Sequence, residues 1–187
     1  MTGTLILVVG PSGVGKDTLL DTAKEYLAED DQYIFPRRII TRPQDATGED
    51  HKAVTPEEFA KMKARKTFAL FWHAHGLDYG IPVSTLRDVA NGNTVIVNVS
   101  RTVIAEAEEK FKAVKVAYIN AKPDILRQRL LARGRETDQD IEKRIDRASH
   151  YKPSGHNIVH IDNSGPLESA VQSFIRLISE PLSTPAL

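Results

Sequence analysis

Between Gly10 and Thr18 the chain reads GPSGVGKDT. An apolar run, Leu5-Ile6-Leu7-Val8-Val9, precedes it, and a helix-forming stretch from Leu19 to Leu27 follows. Gly-x-x-x-x-Gly-Lys between a strand and a helix is the pattern of a phosphate-binding P-loop. Gly10, Gly13 and Gly15 let the backbone turn tightly, with Pro11, Ser12 and Val14 between them, so that N–H groups aim inward. The helix that follows adds its positive end. Lys16 supplies a point charge for the β- and γ-phosphates of a nucleoside triphosphate. The hydroxyl residue that usually follows the lysine is displaced: Asp17 stands there and Thr18 comes next. A magnesium ion would then be held by Thr18, or by Asp17 through water.

A second concentration of charge lies in RQRLLARGRETDQDIEKRIDRA, from Arg127 onward. Its arginines surround a hinge-like Arg133-Gly134-Arg135. The arrangement resembles the lid of nucleoside-monophosphate kinases, where arginines neutralise charge spread over a transferring phosphoryl group. Arg133, Arg135 and Arg144 suit that role from the hinge and the helix face that follows it. Arg127, Arg129 and Arg147 read equally as a solvated helix face.

These residues need a scaffold, and the pattern of the chain supplies one. Short β-branched apolar runs alternate with longer helix-patterned segments, which implies an α/β fold, a parallel sheet flanked by helices. Strands are expected at Leu5–Val9, Tyr33–Ile40, Phe68–His73, Thr94–Val99, Val114–Ile119 and Asn157–Ile161. Helices are expected at Asp17–Glu29, Pro56–Lys66, Ser84–Asn91, Val103–Phe111, Asp124–Arg133, Asp138–His150 and Leu167–Ser179. Thr55 and Glu58 form a capping box for the second helix, and Gly92 and Gly134 end two others. Residues 43–53 are turn-rich and polar, Gly76–Pro82 reads as a turn segment, and the tail from Glu180 is expected to fray. The stretch from about 35 to 92 breaks the alternation and reads as an insertion beside a core of 1–34 and 93–187, with a short lid at about 133–140. The whole is one domain.

Composition narrows the function. A chain of 187 residues with 41% hydrophobic content can bury one real core. Lysine plus arginine equals aspartate plus glutamate at 25 each, so no global charge draws it to nucleic acid or a membrane. No cysteine is present, which excludes disulfides, thiolate catalysis and cysteine-bound metal. No signal-like or 18-residue apolar stretch occurs. The expectation is a cytoplasmic protein acting on small molecules; protein partners are left open.

Almost end to end, the chain resembles the guanylate kinase superfamily. GPSGVGK matches its P-loop, and Ile40-Thr41-Arg42-Pro43 resembles its Thr-Thr-Arg stretch. Gly48-x-Asp50-His51-x-x-Val54 resembles Gly-x-Asp-Tyr-x-Phe-Val, with His51 in place of a phosphate-binding tyrosine. Gly76-x-x-Tyr79-Gly80 resembles Gly-x-x-Tyr-Gly, and Arg144 in IEKRIDRA matches a lid-side arginine. The resemblance implies that Arg42, His51 and Tyr79 meet an acceptor phosphate, and that Lys16, Arg133, Arg135 and Arg144 serve catalysis. The departures are equally informative. Arg38 lies where the family's guanine-reading serine is expected, and Phe71-Trp72 where its guanine-reading glutamate is expected. The second acceptor arginine falls at about Asp45, and Val97-Asn98-Val99-Ser100 replaces an acidic strand end. Without those carboxylates the discrimination for guanine is lost.

The replacements give a narrower match. RRIITRP (37–43), GEDHKAV (48–54), FALFWHAHGLDYGIP (68–82) and VIVNVSR (95–101) are similar to the ribose 1,5-bisphosphate phosphokinases of phosphonate degradation. That family uses ATP to convert ribose 1,5-bisphosphate into 5-phosphoribosyl 1-diphosphate and ADP. A phosphate acceptor is mostly ionised at neutral pH, with a second pKa of about 6, so no general base is needed. The burden is electrostatic. Arg37, Arg38, Arg42, His51, Lys52, His73, His75 and Arg101 supply cations for it, although His73 and His75 read equally as surface or structural residues. Asn98 ends a buried strand, where α/β sheets hold ligands, and suits sugar hydroxyls or magnesium support. Asp50 and Glu49 suit ribose hydroxyls, positioning of His51, or a plain loop surface; Trp72 suits a ribose wall or the core. His150, His156 and His160 read as structural. Two other readings stand beside this one: a nucleoside-monophosphate kinase with relocated base specificity, and a non-catalytic interaction module. The presence of Lys16 and the lid arginines speaks against the module.

Overall fold

The run Leu5–Val9 lies within strand β1 (Thr4–Val9), and all five of those side chains are fully buried. A continuous apolar run of this kind is what a strand covered on both faces requires. In this computed structural model the described residues are 3–44, 50–134, 137–150, 153 and 157–180. Along the chain follow α1 (Lys16–Tyr26), β2 (Tyr33–Ile34), β3 (Ile39–Ile40), β4 (Lys52–Ala53), α2 (Pro56–Ala64), β5 (Phe68–Ala74) and β6 (Leu77–Pro82). Then come α3 (Ser84–Ala90), β7 (Thr94–Asn98), a 3-10 turn (Arg101–Val103), α4 (Ile104–Lys110) and β8 (Val114–Asn120). The chain continues through α5 (Pro123–Arg133), α6 (Asp138–His150), β9 (Ile158–Asp162) and α7 (Leu167–Ser179).

One sheet has the strand order β2-β7-β1-β8-β9, with β2–β7 and β8–β9 paired in parallel. The parallel sheet implied by the alternation is therefore present. A second sheet, β4-β3-β6-β5, is mixed: β3–β4 is parallel, whereas β3–β6 and β5–β6 are antiparallel. The chain divides into two compact units, residues 1–7 with 29–114 and residues 8–28 with 115–187.

In the first unit, Ile39, Phe59 and Phe68 form a core beneath the mixed sheet, with Phe59 and Phe68 stacked 4.5 Å apart. The expected capping box of α2 is complete. Glu58 N donates to Thr55 Oγ1 at 3.1 Å, and Thr55 N donates to Glu58 Oε2 at 2.8 Å. In the second unit α5 packs on α6 through Leu126, Leu130 and Ile141. Gly134 ends α5 in the left-handed conformation expected of a helix terminator. Lys115 is buried and donates from Nζ to the carbonyls of Leu177 at 2.8 Å and of Glu180, closing the last turn of α7.

Several expectations are corrected. The segment Tyr33–Ile40 is not one strand. Pro36 has no N–H to give a ladder, and the flanking dipeptides join different sheets: Ile34 opposite Val95, and Ile39 opposite Gly80. Gly76–Pro82 is not a turn segment but mostly strand β6, paired along its length with β5. Only His75 and Gly76, both at positive φ, make the turn, as a two-residue hairpin requires. Gly80 sits mid-strand because the Phe68 ring lies 2.4 Å from where a Cβ would be. Lys52–Ala53 adds a strand within the polar stretch, α1 stops at Tyr26, and a 3-10 turn leads into the shorter α4.

Candidate active site

The phosphate loop belongs to the second unit. Strand β1 ends at Val9 and α1 starts at Lys16, so residues 10–15 form the connection. Gly15 caps the helix at φ 95°, a left-handed value that favours glycine. Lys16 Nζ donates to the carbonyls of Gly10 at 2.8 Å and Pro11 at 2.9 Å, which holds the ammonium across the loop. Two side chains from later in the chain bond to the loop backbone. Asn163 Nδ2 donates to the Val14 carbonyl at 2.8 Å, and Arg129 Nη1 donates to the same oxygen at 3.2 Å. Sequence reasoning left Arg129 open and missed Asn163 entirely, because a single asparagine after a strand carries no motif.

Asp17 and Thr18 lie exposed in the first turn of α1. Burial, and then the Asp17 carboxylate one turn away, hold the Asp21 carboxyl above its ordinary range. A hard cation prefers such oxygen donors, and it would relieve the like-charge repulsion. Asp17 and Thr18 thus offer oxygen donors of the kind magnesium takes, but no group of three or more His, Cys, Asp or Glu side chains that could hold a metal ion occurs among the described residues. Arg133 is the exposed last residue of α5, and Arg144 is half-buried on α6. Arg127 pairs with Glu142 at 2.6 Å, joining α5 to α6 on an exposed face. Arg135 lies outside the described residues, as do Asp45, Gly48, Glu49 and His156, and the side chains of Arg147 and His150.

The candidate acceptor residues belong to the first unit, where they form two clusters. In one, the Arg38 guanidinium lies over the Tyr79 ring at 5.3 Å and donates from Nη1 to the Asn98 carbonyl at 3.2 Å. Tyr79 in turn stacks on Trp72, with ring centroids 5.3 Å apart and planes 3° from parallel. Cation and indole thus both contact the Tyr79 ring, in a stack of Tyr79 and Trp72 with the Arg38 guanidinium over the phenol. Trp72 is buried, which gives it a core contact as well as a place in the stack.

In the other cluster, His51 is buried at 2% exposure against Arg42. Its Nε2 is 3.1 Å from the Arg42 carbonyl, and its Nδ1 is 3.4 Å from Arg42 Nη2. A carbonyl oxygen only accepts, so Nε2 carries the proton and Nδ1 accepts from the guanidinium. Arg42 Nε is also buried and has no hydrogen-bond partner among the described residues.

Asp50 pairs with Arg37 at 3.6 Å on an exposed surface. His73 Nδ1 meets Asp78 Oδ1 at 2.8 Å on the hairpin, and His75 occupies the exposed hairpin turn. Arg101 is exposed at the start of the 3-10 turn, beyond the end of β7.

A guanylate kinase family model matches residues 2–180. Ribose 1,5-bisphosphate phosphokinase PhnN of Agrobacterium fabrum is 41% identical over 94% of this chain and 96% of its own length. The protein of that name from Pseudomonas paraeruginosa is 43% identical over 94% of this chain and 95% of its own. The chain belongs to the guanylate kinase family, with the ribose 1,5-bisphosphate phosphokinases. A bifunctional ribose 1,5-bisphosphokinase-thymidine phosphorylase from Roseobacter denitrificans is 43% identical over 96% of this chain, which spans only 26% of that protein. The crystal structure of guanylate kinase from Anaplasma phagocytophilum aligns with a TM-score of 0.67 at 18% identity, covering 94% of this chain and 85% of that one. At that identity the likeness bears on the fold alone. Among the described residues, no helix is long and apolar enough to cross a membrane.

Proposed function

We propose that the chain is a ribose 1,5-bisphosphate phosphokinase, transferring the γ-phosphoryl group of ATP to its acceptor to give 5-phosphoribosyl 1-diphosphate and ADP. The observation that carries this reading is the near-full-length identity of 41% to a phosphokinase of that name. The site chemistry supports it. An oxygen of the 1-phosphate attacks the γ-phosphorus, the bond from that phosphorus to the β,γ-bridging oxygen breaks, and its electrons leave with ADP. No proton need be removed from an acceptor that is already ionised.

The loop N–H groups and Lys16 hold the β- and γ-phosphates, and Arg133, Arg135 and Arg144 offset the charge on the transferring group. Arg42 meets an acceptor phosphate, with its buried Nε as an available donor. His51 acts through Arg42, keeping its guanidinium in place. Tyr79, Arg38 and Asn98 line the sugar side, with His75, Asp50 and Arg101 at its margin. Magnesium, held by Asp17 and Thr18 directly or through water, would neutralise phosphate charge when bound. The setting is cytoplasmic, and the partners are ATP and a phosphorylated sugar.

The test is ³¹P NMR of the purified protein with MgATP and ribose 1,5-bisphosphate, beside a second tube containing GMP. A new diphosphate pair with ADP, in the sugar tube alone, is the expected result. Conversion of GMP alone would make the chain a nucleotide kinase and overturn the reading.

A further inference from the structure

The grip of Asn163 and Arg129 on Val14 has a consequence for the phosphate loop. The Val14 carbonyl and the Gly15 N–H belong to one planar trans peptide unit, so they point to opposite sides of the chain. Two donors converge on that carbonyl, at 2.8 Å and 3.2 Å. Holding the oxygen on the outside of the loop fixes the Gly15 N–H on the other side, where P-loops gather the N–H groups that bind phosphate. We infer that Asn163, assisted by Arg129, is a positioning residue that locks the Val14–Gly15 peptide for binding the triphosphate.

Asn163 is itself firmly placed. It is 3% exposed, and its backbone N donates to the Asn120 carbonyl at 2.8 Å. The next residue is fixed too: Lys122 N donates to Ser164 Oγ at 2.7 Å, and Ser164 N donates to Asp162 Oδ1 at 2.9 Å. The amide has only one workable orientation. Turned over, its oxygen would face the Val14 oxygen, acceptor against acceptor. In the observed orientation Asn163 Oδ1 is buried and has no hydrogen-bond partner among the described residues. Asparagine thus serves here through its donor, with its acceptor unmatched among the described residues. Gly15 completes the fit, because a Cβ there would lie 2.5 Å from Asn163 Nδ2.

The inference rests on the kinase reading, and its test separates the two. Binding of MgATP is measured by calorimetry for the wild-type protein, Asn163→Ala, Asn163→Asp and Arg129→Met, with inhibition by tripolyphosphate alongside. Asn163→Ala is expected to weaken MgATP and tripolyphosphate together by about tenfold, equivalent to about 1.4 kcal/mol. Asn163→Asp should do so more severely, since a carboxylate would repel the Val14 oxygen. The KM for the sugar bisphosphate should stay unchanged. Arg129→Met, on a half-exposed helix face, should show a smaller loss of the same kind, and it keeps the test alive if the Asn163 variants do not fold. A lowered Tm with unaltered MgATP affinity in the variants would make Asn163 merely structural and overturn the lock. Loss confined to MgATP, with tripolyphosphate spared, would place Asn163 on the base or ribose and overturn it as well. A wild-type protein that binds no MgATP would sink the kinase reading together with the lock.

Discussion

His51 and Arg42 hold each other twice: the imidazole Nε2 meets the arginine's own carbonyl at 3.1 Å, and Nδ1 meets its guanidinium at 3.4 Å. The ring is buried and bonded to Arg42 from both nitrogens, and on the reading proposed above it acts on the acceptor through that guanidinium. Removing the ring should loosen the guanidinium and raise the acceptor KM by about tenfold, with the KM for ATP unchanged. Arg42→Ala should raise it further. Because the two act as one unit, the double variant should fall short of the product of the single effects. Steady-state kinetics of the four proteins checks this, and full multiplicativity would mean that His51 acts independently.

On the proposed reading, in which Lys16 faces the phosphates during transfer, Lys16→Ala should lower kcat by about a hundredfold or more. Circular dichroism and Tm should match the wild type, since Lys16 is bonded to the loop carbonyls of Gly10 and Pro11 rather than buried in the core. Unfolding of the variant would identify the ammonium as a structural clasp.

Tyr79→Phe separates stacking from hydrogen bonding. The ring would keep its contacts with Arg38 and Trp72, so Tm should hold. If the hydroxyl meets an acceptor phosphate, the acceptor KM should rise by roughly three- to tenfold. An unchanged KM would restrict Tyr79 to its part in the stack.

Lys115 gives a prediction in pH. Burial holds its ammonium below the ordinary lysine value of 10.5, opposed by the nearby Glu180 charge. Between the lowered native value and 10.5 the unfolded chain binds more protons than the native one, so stability rises with pH across that window. The contribution is complete above 10.5 and is lost as pH falls through the native value. Urea melts of the wild type and Lys115→Met should therefore diverge as pH rises toward 10.5, with the wild type gaining. Parallel curves would remove Lys115 from the linkage.

The sequence revealed what depends on neighbours close along the chain. Thr55 and Glu58 cap α2 three residues apart, Gly134 stops α5, and α6 and α7 occupy the residues expected of them, Asp138–His150 and Leu167–Ser179. The loop between β1 and α1 was legible for the same reason. What escaped depends on distant pairing. Gly76, Gly80 and Pro82 punctuate β6 as though it were a turn, yet β5 and β3 flank it and impose an extended conformation. Pro36 divides a run whose halves are claimed by different sheets. The site follows the same rule. Resemblance pointed to His51 and Arg42 but not to their mutual bonds, and Asn163 was invisible because its meaning lies entirely in Val14.

Asn163 and Val14 are 149 positions apart. On a ribosome the phosphate loop is made well before the side chain that grips it. Until residue 163 has emerged, the loop lacks one of its two outer ties. Nucleotide affinity should therefore arrive only after that later segment has been made.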